Sequence, residues 1–324
     1  MLLTNDDGIH SPGITTCANT LFSLGHEVHV VAPDRERSSI GHAVTLTRPI
    51  CLRPPHERGA YVPGLDLLAC DGTPSDCVVL GVETIAPETE IVVSGINRGP
   101  NLGDDLTYSG TVSAAMEGAI LGKPALAVSL NCGQREHTSH YESAGRVCAE
   151  ILRLLSRFFL HPGLLLNVNV PNLPLGDIRG VRVTRKGVRL YEEKVSSLNS
   201  PEGTLCFWVS GRPADRLEEE GSDVWAVANG YVSVTPIHMD MTHFPSLDGL
   251  RETGVETINF LSESRSAVDN SLFRAIIPTN VVKAMNGRST RLCASREKGP
   301  GCEPFRYWVG NVSVSLFRRK AARP

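Results

Sequence analysis

Residues 1–34 read as strand, helix and strand in immediate succession, and a strand, crossover and strand of this kind pair in parallel with a right-handed connection. Leu2-Leu3-Thr4 is a short apolar run. Ser11-Pro12 is a helix start, with Ser as cap and Pro in the first turn. Ile14, Cys17, Ala18 and Leu21 recur at helical spacing, so a helix is expected over 12–24, stopped at Gly25 and followed by a strand over Val28–Ala32. The alternation continues with a helix from Thr73-Pro74 to about Ile85, a strand at Ile91–Val93, a glycine-rich loop and a helix from about Thr111 to Leu121. A strand at Ala125–Leu130, a helix over about Glu142–Leu155 and a strand at Leu164–Val170 complete the series. Strands that are apolar on both faces need cover on both, which predicts an α/β fold with a doubly wound, mostly parallel sheet over residues 1–180.

After Gly180 the pattern changes. Val181–Thr184, Leu205–Val209 and Tyr231–Pro236 read as strands between polar loops, so residues 181–261 are expected to form an antiparallel arm. Residues 262–324 show no sustained periodicity and carry 12 Lys/Arg against 4 Asp/Glu, leaving 20 against 31 in residues 1–261. The tail is therefore expected to be a basic extension, mostly disordered or loosely attached, on an acidic body that makes a poor nucleic-acid binder; no stable nucleic-acid complex is expected. Nine cysteines without a C-x-x-C pair argue for reduced thiols. No apolar run reaches the roughly 20 residues of a membrane span and no secretion-signal pattern opens the chain, so the expected location is the cytoplasm, away from membranes.

Three loops at strand ends carry polar residues suited to chemistry: Asn5-Asp6-Asp7-Gly8, Asp34-Arg35-Glu36-Arg37-Ser38-Ser39, and Ser94-Gly95-Ile96-Asn97-Arg98-Gly99-Pro100-Asn101, which runs on to Tyr108-Ser109-Gly110-Thr111. Each has an ordinary reading taken singly. Asp7-Gly8 is a common turn, Arg35-Glu36-Arg37 a solvated charge run, and Asn97 and Asn101 turn residues. Together they supply two carboxylates, a hydroxyl and an amide, an all-oxygen donor set for Mg²⁺ or Mn²⁺. Beside it, a helix beginning at Ser109-Gly110-Thr111 offers unpaired N–H groups and hydroxyls to a phosphate.

The strings LLTNDDGIHSPGI, VVAPDRERSS, GTPSDCV, VVSGINRGPNLGDDLTYSGTVSAAMEG, PALAVSL and LNVNVPNLP together resemble the SurE family of survival proteins, metal-dependent 5′/3′-nucleotidases, from Met1 to about Leu261. The resemblance implies a Rossmann-like core and a C-terminal arm exchanged between subunits, hence a homodimer or homotetramer. It implies one divalent cation per subunit held by Asp6, Asp7, Ser38 and Asn97, and a phosphate of a nucleoside monophosphate held by Asn101, Ser109, Gly110 and Thr111. Hydrolysis would proceed with a water activated at the metal, and Asp6 is the expected proton acceptor. The family's late D-x-T-x-H motif is altered, because Asp240-Met241-Thr242 is followed directly by His243.

Two other readings stay open on the residues alone. A dinucleotide-dependent oxidoreductase is suggested by the β-α-β start and by Asp34 at the end of the second strand, although the first turn lacks G-x-G-x-x-G. A non-catalytic metal-binding assembly protein would need the same acidic loop and no turnover.

Overall fold

The computed structural model describes residues 1–258 apart from 134–135, 137, 156–162, 190, 193–194, 201, 210 and 214–218, together with the backbones of 302–309 and 312–319. Contacts within the chain divide it into Met1–Thr242 and His243–Pro324.

In the first unit nine strands form one sheet. They are β1 (Leu2–Thr4), β2 (His29–Pro33), β3 (Leu52–Arg53), β4 (Asp66–Cys70), β5 (Val92–Arg98), β6 (Ala125–Asn131), β7 (Leu165–Pro171), β8 (Val181–Val183) and, after four short strands outside the sheet, β13 (Val232–Ile237). Their order is β3-β4-β2-β1-β5-β6-β7-β13-β8. From β4 to β7 the strands run parallel, β3 and β13 run against their neighbours β4 and β7, and β8 pairs parallel with β13.

The helices α1 (Pro12–Ser23), α2 (Pro74–Leu80), α3 (Gly110–Ile120) and α4 (Tyr141–Leu155) divide between the two faces. Leu3, Val30, Val93, Leu126 and Val128 pack with Ile14, Cys17, Leu21, Ala144 and Cys148 of α1 and α4. Leu2, Val31, Val92 and Ala125, one residue out of phase, pack with Cys77 and Val78 of α2 and Val112 and Ala115 of α3. Period-two alternation between two buried faces is the physical reason these strands show no polar side. Cys17, Cys70, Cys77, Cys132 and Cys148 are buried and free. No helix among the described residues is long and apolar enough to cross a membrane.

Several expectations are corrected. The glycine-rich string Ser94–Arg98 is not loop but the second half of β5, with a bulge between Gly95 and Asn97. Strand β4 is absent from the sequence reading because Asp66-Leu67-Leu68-Ala69-Cys70 is too short and mixed to declare itself. Of the expected antiparallel arm, Val181–Val183 and Val232–Ile237 extend the main sheet, since β13 completes the open edge of β7. The arm that projects consists of β10 (Val195–Asn199) and β11 (Leu205–Val209), an antiparallel hairpin, with β9 (Tyr191–Glu192) and β12 (Arg212–Pro213) paired at its base. Between β12 and β13 lies α5 (Asp223–Ala228).

The second unit contains α6 (Leu247–Glu252) and a hairpin of β14 (Cys302–Val309) and β15 (Val312–Arg319), paired from Cys302↔Arg319 to Val309↔Val312. The alternation of Val312, Val314 and Leu316 with Ser313 and Ser315 is a period-two signal that the reading of residues 262–324 as patternless passed over. The rest of that expectation, over 262–301, 310–311 and 320–324, lies outside the described residues. His243 is exposed, with Nδ1 2.5 Å from Ser246 Oγ.

Candidate metal and phosphate site

Strand order reverses between β1 and β5: the chain proceeds from β1 to β2 and β4 on one side, and from β5 to β6 and β7 on the other. Loops leaving the carboxyl ends of these two strands therefore diverge, and the crevice between them is where open α/β sheets bind ligands. The loop after β1 carries Asp6 and Asp7, and the end of β5 carries Asn97.

The Asn5–Gly8 loop is braced from several directions. Asn5 Nδ2 donates to the Gly8 carbonyl at 3.0 Å and to Ser11 Oγ at 2.8 Å. Ser11 has the extended backbone of a helix cap but makes no side-chain cap bond, because its hydroxyl is engaged by Asn5. Arg37 N–H donates to the Asp6 carbonyl at 2.7 Å, and Ile9 N–H to the Pro33 carbonyl at 2.8 Å, which ties the loops after β1 and β2 together. Gly8 has φ +93, and a Cβ there would lie 2.9 Å from the Arg35 carbonyl carbon. Only glycine fits that turn without displacing the second loop.

The two aspartates have different surroundings. Asp6 is buried at the N-terminus of α3, where Oδ1 accepts a short hydrogen bond from the Thr111 hydroxyl. Burial raises its pKa, and the Thr111 hydroxyl and N–H act against that rise. Asp7 Oδ2 accepts the Arg98 N–H at 2.9 Å. Burial first, and the adjacent Asp6 charge second, push Asp7 up to about 7. Glu36, which the sequence reading assigned no role, adds negative charge felt by both aspartates. Carboxylates confined in this way are suited to a cation, which favours the charged forms that burial and neighbouring negative charge disfavour.

The other expected ligands are placed unequally. Asn97 Nδ2 donates to the Gly99 carbonyl at 2.9 Å, which turns the amide so that Oδ1 is its remaining donor atom for a metal. Ser38 is exposed, and its hydroxyl donates to Glu36 Oε1 at 2.8 Å, not to either aspartate. Ser109 is the cap of α3, its Oγ accepting the Val112 N–H at 3.1 Å. Thr111 gives its hydroxyl to Asp6, so it joins the carboxylate to the helix terminus. Asn101 is buried and anchored to β6 and β7 by Ser129, Asn167 and Asn169, none of which had been singled out as a site residue. The signal available for the last two was a pair of asparagines alternating inside the otherwise apolar strand LLNVNVP.

Gly110 closes the contact between loop and helix. A Cβ there would meet Asp6 Cβ at 2.7 Å and Oδ2 at 2.8 Å. Gly110→Ala is expected to cost about 1–3 kcal/mol and to lower turnover by moving Asp6. A thermal melt together with kcat checks both, and an alanine variant with wild-type turnover would show that Asp6 has room to move.

A sequence model described as "Survival protein SurE" matches residues 1–193. The chain is 47% identical over 252 residues to the 5′-nucleotidase SurE of Geobacter metallireducens, covering 78% of this chain and 96% of that one. It is 48% identical over 262 residues to the 5′/3′-nucleotidase SurE of Klebsiella pneumoniae, covering 79% and 98%. The crystal structure of the SurE protein from Aquifex aeolicus superposes with a TM-score of 0.67 at 43% identity, over 78% of this chain and 98% of that chain. The matched residues 1–193 include both carboxylates, the Asn97 strand and the start of α3, and with this fold and these relatives the chain belongs to the SurE family.

Proposed function

We propose that the protein is a metal-dependent phosphomonoester hydrolase, a 5′/3′-nucleotidase that removes phosphate from nucleoside monophosphates. The observation that carries this reading is the pair of confined aspartates at the strand reversal, one of them seated on a helix N-terminus, in a chain nearly half identical to proteins named nucleotidases. Asp6, Asp7 and the Asn97 amide oxygen form a hard-oxygen donor set that fits one Mg²⁺ or Mn²⁺, and Ser38 would complete it after its hydroxyl turns from Glu36. When bound, such a cation polarises the phosphoryl group and lowers the pKa of water.

The chain's own residues do the remainder. Asp6, with Oδ1 held by Thr111, has Oδ2 to take the proton of the attacking water. The Gly110 N–H at the α3 terminus and the side-chain amide of Asn101 hold the phosphoryl oxygens, which gain charge as the water oxygen bonds to phosphorus and the ester oxygen leaves. Release of inorganic phosphate from nucleoside monophosphates with Mg²⁺ or Mn²⁺, lost with EDTA, tests the reading. A folded protein that releases none with either metal would replace it with a binding protein.

A homodimer or homotetramer is part of the proposal. The β10–β11 hairpin leaves Val195, Phe207, Trp208 and Val209 exposed, an apolar surface suited to a second copy of the chain. Free buried thiols support a reducing compartment, the cytoplasm. Deletion after Leu261 is expected to leave phosphate release within about twofold, as is usual for segments outside a site. Loss of most of the activity would give the basic segment a part in substrate binding.

A further inference from the structure

We propose that Asn167 and Asn169 of β7 are positioning residues that hold Asn101 in place for phosphate, an inference that rests on Asn101 being a phosphate ligand. Asn169 engages the main chain of Asn101 at both ends. Its Oδ1 accepts the Asn101 N–H at 2.8 Å, and its Nδ2 donates to the Asn101 carbonyl at 3.0 Å. Asn167 Nδ2 gives that carbonyl a second hydrogen bond at 2.8 Å. The side chain is oriented separately, its Nδ2 donating to Ser129 Oγ at 2.8 Å. One N–H of that nitrogen is thereby used, and the other, with Oδ1, is left for a ligand. Because a carbonyl accepts only donors, the orientation of both strand amides is fixed by their partners.

This arrangement exceeds what closing a loop requires. Residues 167 and 169 lie on one face of a strand whose other face, Leu166, Val168 and Val170, belongs to the apolar core. Both asparagines are fully buried, and Asn167 Oδ1 has no hydrogen-bond partner among the described residues. A strand selected for stability alone would place apolar side chains at such positions, since a buried polar atom without a partner is unfavourable. What Asn167 and Asn169 supply is a main chain fixed at both the N–H and the carbonyl of residue 101 by three bonds from neutral amides. Carboxylates there would repel both the Asn101 carbonyl and an incoming phosphate. Rigid support of a ligand-binding group by a neighbouring shell is what keeps catalytic geometry within tolerance.

The test is a double-mutant cycle between Asn101→Ala and Asn169→Ala in the full chain with Mn²⁺. It reads kcat and KM for a nucleoside monophosphate, inhibition by inorganic phosphate, and the thermal midpoint. Asn169→Ala is expected to lower kcat/KM about 10- to 100-fold, the scale of an approximately 1 Å misplacement, and to weaken phosphate inhibition. In the Asn101→Ala background the further loss is expected to be under about threefold. The fall in thermal midpoint should be the same in both backgrounds, because the three bonds run to the main chain of residue 101, which alanine retains. Losses of activity that multiply instead would overturn the proposal and assign Asn169 a general structural part. If Asn169→Ala does not fold, Asn167→Ala removes one of the three main-chain bonds and keeps the two from Asn169. It is expected to lower kcat/KM about fivefold or more in the wild-type background alone, and an unchanged kcat/KM would overturn the positioning scheme. If the wild-type chain releases no phosphate from nucleotides, the same cycle is read by calorimetry with inorganic phosphate. Equal phosphate affinity in Asn169→Ala, or no affinity in any variant, overturns the clamp on its own ground.

Discussion

Asp7→Asn is expected to reduce phosphate release at least about a thousandfold, as expected when a metal-ligating charge is removed, and at the same time to stabilise the metal-free protein. The two effects have one cause. Burial and the adjacent Asp6 push Asp7 up to about 7, so its ionised form is unfavourable in the fold until a cation arrives. The sign follows from proton binding. Between about 4, where an unfolded aspartate titrates, and about 7, where this one does, the folded state holds the extra proton and the wild-type chain loses stability as pH rises. Asparagine removes that loss. The variant should therefore match the wild type near pH 4, gain over it through that window, and stay about 1–2 kcal/mol more stable above pH 7 in EDTA, the usual scale for relieving a functional site. With saturating Mn²⁺ the order reverses, because only the wild type gains binding energy. Thermal melts at several pH values with and without metal check this, and an Asp7→Asn protein less stable than wild type in EDTA would show that Asp7 is stabilised by something other than a cation.

Gly13→Ala is expected to destabilise the protein by about 3 kcal/mol, the upper range for overpacking. In an ordinary helix the change would favour folding, since alanine is the better helix former by about 1 kcal/mol. Here the added Cβ would lie 1.9 Å from the Ile96 carbonyl oxygen and 3.2 Å from Tyr141 Cε1. A carbonyl in the middle of a sheet has little freedom to retreat, so α1 must lift from β5. Asn97 follows Ile96 directly, and the metal affinity should fall with the stability. Denaturant unfolding alongside Mn²⁺ titration measures both. An alanine variant with unchanged midpoint and affinity would mean that the helix and strand pack less closely than these distances indicate.

The core was legible because its strands and helices carry strong periodic signals. Ile14, Cys17, Ala18 and Leu21 mark α1, and alternate residues of β1, β2 and β5 supply both buried faces. The edges were not. Whether Val232–Ile237 joins β7 or an appendage depends on which edge lies open after the chain has crossed the sheet, and no local pattern encodes that. Ser94–Arg98 looked like a loop because glycine and asparagine signal turns, yet Gly95 sits against the Val128 backbone where a Cβ would meet the carbonyl oxygen at 2.3 Å. Close backbone approach, not turning, is what that glycine provides. In the site, residue types were readable and their partners were not. The Thr111 hydroxyl donates to Asp6, a partner that its place beside Ser109 and Gly110 does not announce. The Ser38 hydroxyl donates to Glu36, which no local pattern marks as its partner. A hydroxyl's direction depends on neighbours from distant segments, and these emerge only when the loops are folded together.

The most direct measurement is Mn²⁺ titrated into metal-free full-length protein, with the signal of the free ion and phosphate release from adenosine 5′-monophosphate followed in the same samples. One ion bound per chain, with turnover rising in proportion and both lost in Asp6→Asn, is the expected result. Undiminished turnover in protein stripped of metal, or one ion bound as tightly after Asp6 is replaced, would contradict the placement of the catalytic metal on the loop after β1.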